Sequence, residues 1–146
     1  MTATRPWEIH MRATSLSFAA VALIGLAACA AADAGPAEDA ASPQTIDAAA
    51  AVELLEQRDD LVLIDVRTPE EFADGHLAGA EMIDIQAGDF ADRIAELDPD
   101  ATTVVYCRTG NRSASAVAIM AEQGFTDLYD AGGFADLAEA GAPVGG

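Results

Sequence analysis

Two short stretches constrain the fold of this chain more than any other feature: Leu61 to Ile64, LVLI, and Thr102 to Tyr106, TTVVY. Neither alternates apolar with polar residues. A strand with one face in water shows that alternation, whereas an uninterrupted, β-branched run suits a strand covered on both faces. Both stretches are therefore expected to lie centrally in a parallel sheet. Each runs directly into a polar cluster, Asp65-Val66-Arg67 in one case and Cys107 to Ser113 in the other. Open parallel sheets place their ligand sites at the carboxyl ends of the strands, so chemistry is expected at these two clusters.

The segments between them read as helices and shorter strands. Asp47 is a capping residue before AAAAVELLEQR, in which Ala48, Val52 and Leu55 share one helical face. Pro69-Glu70-Glu71-Phe72 opens a short helix, with Pro in the first turn and acids near its positive end. Glu81 to Ile85 reads as a short strand, and Asp89 to Leu97 as a helix closed by Asp98-Pro99. The stretch SASAVAIMAEQ, Ser113 to Gln123, is apolar on almost all sides, which predicts a helix covering the sheet interior and stopping at Gly124. Thr126 to Tyr129 is expected to be an edge strand, followed by Gly132-Gly133 and a last helix to Ala140. No internal repeat is present.

The first 28 residues read differently. Arg5 and Arg12 precede LSFAAVALIGLAA, Leu16 to Ala28, an uncharged run of signal-peptide length that is short of the ~20 residues needed to span a membrane as a helix. Met11 offers a second possible start. The run ends Leu26-Ala27-Ala28-Cys29, which resembles the bacterial lipobox; that resemblance implies lipid on Cys29 and a periplasm-facing, membrane-anchored protein at the cell envelope. Ordinary cleavage near Ala30 to Ala32, releasing a soluble periplasmic protein, is the alternative. Either way, Cys29 is not left to pair with Cys107. Residues 29–43, small, acidic and without apolar periodicity, are expected to form a disordered tether reaching roughly 20 Å. Residues 44–146 then make one domain.

Hydrophobic residues are 51% of the chain, but many are alanine, so a few Leu, Ile, Val and Phe side chains must build the core. All seven basic residues are Arg, against 25 acids, for a formal charge of -18. Such a field repels polyphosphates, and no basic stripe exists, so nucleic acid is excluded as a partner. The acidity itself reads as solubility.

Cys107-Arg108-Thr109-Gly110-Asn111-Arg112-Ser113 joins a strand to a helix through a polar turn. A turn there aims backbone N–H groups inward, and the helix N-terminus adds positive potential, so an anion on Cys107 is stabilised. Such surroundings lower a cysteine pKa from about 8.5 toward roughly 3.5 to 7.5. The thiolate becomes the resting nucleophile. A purely structural Cys107 would leave the polar turn without purpose.

At these residues the chain resembles the rhodanese-like sulfurtransferases. CRTGNRS is similar to that family's active-site loop, DVRTPEEFADGHLAGA to its other signature stretch, and YDAGGFADL to its C-terminal one; the likeness covers about residues 44 to 144. It implies an α/β fold with a central parallel sheet of about five strands and helices on both faces. It makes Cys107 the residue that accepts sulfur as a persulfide, with Arg108, Thr109, Gly110, Asn111, Arg112 and Ser113 forming the loop whose amides cradle the sulfur. Arg112 also fixes the loop or the anion through its guanidinium fork. Asp65 and Arg67 match the Asp and Arg of the first motif and order the site floor; Asp65, Glu70 and Glu71 offer Arg67 carboxylate partners, which favours bracing over substrate contact. His76 reads as a hydrogen-bonded structural residue, because a preformed thiolate needs no base. Phe134 stands where the family more usually has Trp or Met.

The reaction implied moves sulfane sulfur from a small donor such as thiosulfate through Cys107 to cyanide or a thiol, with no metal and no organic cofactor. The acidic surface works against an anionic donor, though screening limits such fields to about 8 Å. Two alternatives stay open. One is a non-catalytic sulfur carrier or interaction module at the envelope. The other is a Cys-dependent phosphatase or arsenate reductase, which the short Cys107-x4-Arg112 loop disfavours, since phosphatases of this fold have one residue more before the arginine.

Overall fold

The computed structural model describes residues 42–146. The signal read over residues 1–28, Cys29 and the tether up to residue 41 lie outside the described residues.

The elements are β1 (Gln44–Thr45), α1 (Ala48–Gln57), β2 (Val62–Asp65), α2 (Pro69–Ala73), β3 (His76–Leu77), β4 (Glu81–Met82), α3 (Phe90–Ile94), β5 (Thr103–Cys107), α4 (Asn111–Glu122), β6 (Leu128–Gly133), α5 (Phe134–Glu139) and β7 (Val144–Gly145). Five strands form one sheet in the order β1-β6-β5-β2-β4, parallel at every pairing. The two uninterrupted apolar runs, β2 and β5, are neighbours inside it, as their composition requires. β3 and β7 pair separately and antiparallel.

Side-chain alternation divides the core. Val104 and Tyr106 of β5 and Leu63 of β2 pack with Ala51 and Val52 of α1 and Leu137 of α5. Val105 and Cys107, with Ile64 of β2, pack on the other face with Ile94 of α3 and Ala116, Val117 and Met120 of α4. Ile64, Val105, Met120 and Leu137 are fully buried; each such side chain contributes about 1.5–3 kcal/mol relative to exposure. The Asp47 carboxylate accepts from the Ala50 amide at 2.8 Å and caps α1, a contact of about 1 kcal/mol.

Three expectations need correction or refinement. The strand expected at Thr126 to Tyr129 as a sheet edge starts at Leu128, runs on to Gly133 and is hydrogen-bonded on both sides, by β1 and β5. Asp130 and the glycine pair disguised its continuation. Asp130 resolves its own polarity by accepting from the Gly132 amide at 3.1 Å, and the edge on this side of the sheet is β1, two residues long. Secondly, α4, apolar in sequence on almost all sides, covers the sheet as expected but buries one face only: Ser113, Ala116, Val117 and Met120 are buried while Ala114, Ser115 and Ala118 face solvent, because alanine tolerates either environment. Thirdly, the strand over Glu81 to Ile85 is regular only at Glu81 and Met82, although the Ile83 and Ile85 amides still donate to the Asp65 and Val66 carbonyls at 2.9 and 3.4 Å, and the helix over Asp89 to Leu97 is regular only from Phe90 to Ile94.

Candidate active site

β5 delivers Cys107 to the carboxyl end of the sheet, on the face shared with α3 and α4. The chain then reverses at Gly110, whose φ of 94° is left-handed and which is also the residue before α4; a side chain there would cost roughly 1–2 kcal/mol. This reversal turns the Gly110 amide back onto Cys107, where it donates to Sγ at 3.0 Å. Ser113, fully buried in the first turn of α4, donates its hydroxyl to the Gly110 carbonyl at 2.9 Å and locks the turn.

Cys107 is 0% exposed. Burial pushes its thiol pKa up, but the amides of Ser113, Thr109 and Gly110 outweigh it and hold the thiol below its ordinary value. The oriented N–H groups thus favour the thiolate form of Cys107.

The loop's two arginines are used differently. Arg112 closes a fork on Glu71 of α2, Nη1 to Oε2 at 2.6 Å and Nη2 to Oε1 at 2.9 Å. Glu71 is held in place by a capping box with Thr68 at the start of α2. Its carboxyl is pulled down to about 2, chiefly by the Arg112 hydrogen bonds. Arg108 stays 73% exposed, 3.9 Å from Glu71. Asn111 opens α4, exposed, and its carbonyl accepts from Ser115 at 3.2 Å.

Asp65 and Arg67 form a second, buried pair. Arg67 donates to Asp65 from its backbone amide and Nε at 2.9 Å and from Nη2 at 2.6 Å, and Nη2 also reaches the Gly75 carbonyl at 2.7 Å. Its guanidinium lies 4.4 Å from the Phe134 ring centre and 5.7 Å from that of Tyr106. Tyr106 points to the face opposite Cys107, so this pair sits under the α1 and α5 side of the sheet end. Of the three carboxylates the sequence offered to Arg67, Asp65 takes it; Glu71 goes to Arg112. His76 stacks on Phe72 at 3.8 Å with Nδ1 against the Phe72 carbonyl at 3.1 Å.

Arg67, Glu71, Asp74, Arg108, Phe134 and Ala135 line a hollow of about 280 Å³ beside the loop. A larger hollow of about 490 Å³ lies elsewhere, between α1, the start of β2 and residues 142–143, and contains none of the loop residues. Chemistry, not size, locates the site. Sequence reasoning missed Glu71 as the partner of Arg112, Phe134 as the face under Arg67, and the glycines of β6 beneath the loop. For Glu71 the signal was a carboxylate at the third position of a Thr-capped helix, though nothing there tells which arginine it meets.

The model of the rhodanese-like domain family matches residues 47–140. The chain belongs to the rhodanese-like family. A protein named thiosulfate sulfurtransferase GlpE in Pseudomonas putida is 40% identical to this domain over 90 residues, 62% of this chain and 80% of that protein. One of the same name in Pseudomonas aeruginosa is 47% identical over 73 residues, 49% of this chain and 64% of the relative. Among solved structures, the rhodanese-like domain of the Anabaena sp. Alr3790 protein superposes with a TM-score of 0.64 at 29% identity, over 72% of this chain and 80% of that one. A rhodanese-related protein from Thermoplasma volcanium does so at 0.60 and 31% identity, over 70% and 97%.

Proposed function

We propose that this rhodanese-like domain is a sulfurtransferase that carries sulfane sulfur on Cys107. The class rests on the family and on relatives named as sulfurtransferases. The observation that carries the mechanism is the Gly110 amide donating to Cys107 Sγ at 3.0 Å, within a turn whose N–H groups favour the thiolate.

With thiosulfate as donor, the Cys107 thiolate attacks the outer sulfur. The bond from that sulfur to the sulfite sulfur breaks, and sulfite leaves with the electron pair. Cys107 now bears a persulfide, whose terminal sulfur carries the negative charge among the loop amides. Cyanide then attacks the terminal sulfur, the S–S bond breaks, thiocyanate leaves and the thiolate returns. A thiol acceptor takes the sulfur in the same way. Charge is held throughout by fixed dipoles, so no base is needed and His76 is free to be structural. Arg112, with both outer nitrogens on Glu71, is a brace for the loop, which disfavours a phosphatase use of the same fork.

Residues 16–29 support a second proposal, export to the cell envelope with lipid on Cys29. Intact mass of membrane-extracted protein distinguishes a diacylated Cys29 terminus from an unmodified one.

The test of the activity is mass spectrometry of the full chain before and after thiosulfate, with peptide mapping. Gain of one sulfur on the Cys107 peptide, released by cyanide as thiocyanate and missing in Cys107→Ser, is expected. No gain from any sulfane donor sinks the mechanism.

A further inference from the structure

The glycine pair at the end of β6 has no part in the chemistry so far, yet it lies directly beneath the loop. Along β5 and β6 the register runs Val105 to Asp130 and then Cys107 to Gly133, two steps on one strand against three on the other. The extra residue is taken up where Gly132 adopts a φ of 79°, a bulge of the kind that re-aims a strand end. It brings Gly133 opposite Cys107. A β-carbon at Gly133 would lie 2.9 Å from the Arg108 carbonyl oxygen, 3.0 Å from Asp136 Oδ2 and 3.4 Å from the Thr109 Cα. The first is a backbone atom of the loop itself. There is no room for one.

We propose that Gly133 is a positioning residue for sulfur transfer: its missing side chain lets Arg108 and Thr109 close onto the sheet, and this closure aims the loop amides at Cys107. The proposal rests on Cys107 as the nucleophile but concerns its ionisation, which is measured without any sulfur donor. A methyl group at 133 pushes the Arg108-Thr109 backbone outward by several tenths of an ångström, and the amides of Thr109 and Gly110 travel with it. Thiolate stabilisation falls while Arg112 on α4, Glu71 on α2 and Asp84 after β4 stay in place; Arg108 moves with the loop, and Asp136 on α5, whose Oδ2 lies 3.0 Å from the added carbon, gives way as well.

The experiment is the pH dependence of iodoacetamide alkylation of Cys107, in the full chain carrying Cys29→Ser so that a single thiol reacts. Gly133→Ala is expected to raise the alkylation midpoint by about one pH unit, which is tenfold less thiolate below it. Its kcat/KM for thiosulfate should fall about tenfold at pH values below the wild-type midpoint and recover above the new one. Gly79→Ala is the control, since its added carbon has no neighbour within 4 Å, while its left-handed φ of 81° adds a backbone strain that Gly133, at a φ of -100°, does not carry. It should lower Tm and leave the midpoint alone. An unshifted midpoint in Gly133→Ala overturns the proposal, as does an equal shift in Gly79→Ala. Should Gly133→Ala not fold, the wild-type amide resonances are followed across the Cys107 titration by NMR. Gly133 is expected to titrate together with Thr109 and Gly110, and a flat Gly133 resonance overturns the proposal. Failure of sulfur transfer with the expected alkylation shift would instead count against the sulfurtransferase reading alone.

Discussion

Arg112 and Glu71 are 41 residues apart in sequence and meet in a two-bond fork at 2.6 and 2.9 Å. The pair ties the far end of the Cys107 loop to α2. Glu71 also accepts from the Thr68 amide at 3.2 Å, so one carboxylate serves both as helix cap and as loop anchor.

The fork gives the domain an acid-sensitive element. Glu71 is depressed from 4.5 to about 2 in the folded chain, so its contribution is fully present above pH 4.5 and is lost as pH falls through about 2. Glu71→Gln keeps a capping side chain but no charge. Thermal unfolding should show the wild type more stable by about 1 kcal/mol at pH 6, with the difference shrinking between pH 4.5 and 2. Parallel curves for the two proteins would remove the ion pair from the account.

Cys107 should titrate below a free cysteine, because the amides of Ser113, Thr109 and Gly110 outweigh its burial. Thiolate absorbance at 240 nm in the Cys29→Ser chain is therefore expected to reach its midpoint below about 8.5. A midpoint at or above that value would mean that burial wins.

Asp65 and Arg67 are buried together, at 0% and 4% exposure, so removing either strands the other. Asp65→Ala should cost about 3–5 kcal/mol, and the Asp65→Ala, Arg67→Ala double variant should cost less than the two single losses added together. Urea midpoints measure both. Strict additivity would show that the two groups are not coupled.

Phe134 lies 4.4 Å from the Arg67 guanidinium. Phe134→Leu keeps much of the apolar volume and loses the ring face, with an expected cost of about 1 kcal/mol. Phe134→Trp should retain that stability. Equal stability of the Leu variant would reduce the contact to packing.

Much of the fold was legible because its signals are local. The uninterrupted runs ending in Ile64 and Tyr106 announce central strands, Asp47 and Pro69 open their helices, and Gly110 permits the turn after Cys107. Less legible was β6, where Asp130 and two glycines interrupt the apolar pattern, and its sequence resembles the end of a strand. The short β1, β3 and β7 carry no pattern at all; their backbones pair because neighbours supply partners. Likewise, alanine-rich α4 reads as apolar on almost all sides, and which face is buried is hidden because alanine costs little in either setting.

By itself the sequence determined that Cys107 stands at a sheet end and runs into a polar turn ahead of a helix, because each of these depends on residues adjacent in the chain. Only the tertiary structure decided the pairings: Glu71 with Arg112, Asp65 with Arg67, and Gly133 beneath Arg108. A charge or a missing side chain declares what a residue can do but not what it meets. Strand order, the face on which each side chain falls and a one-residue bulge in β6 settle that, and all three are set by distant backbone pairing.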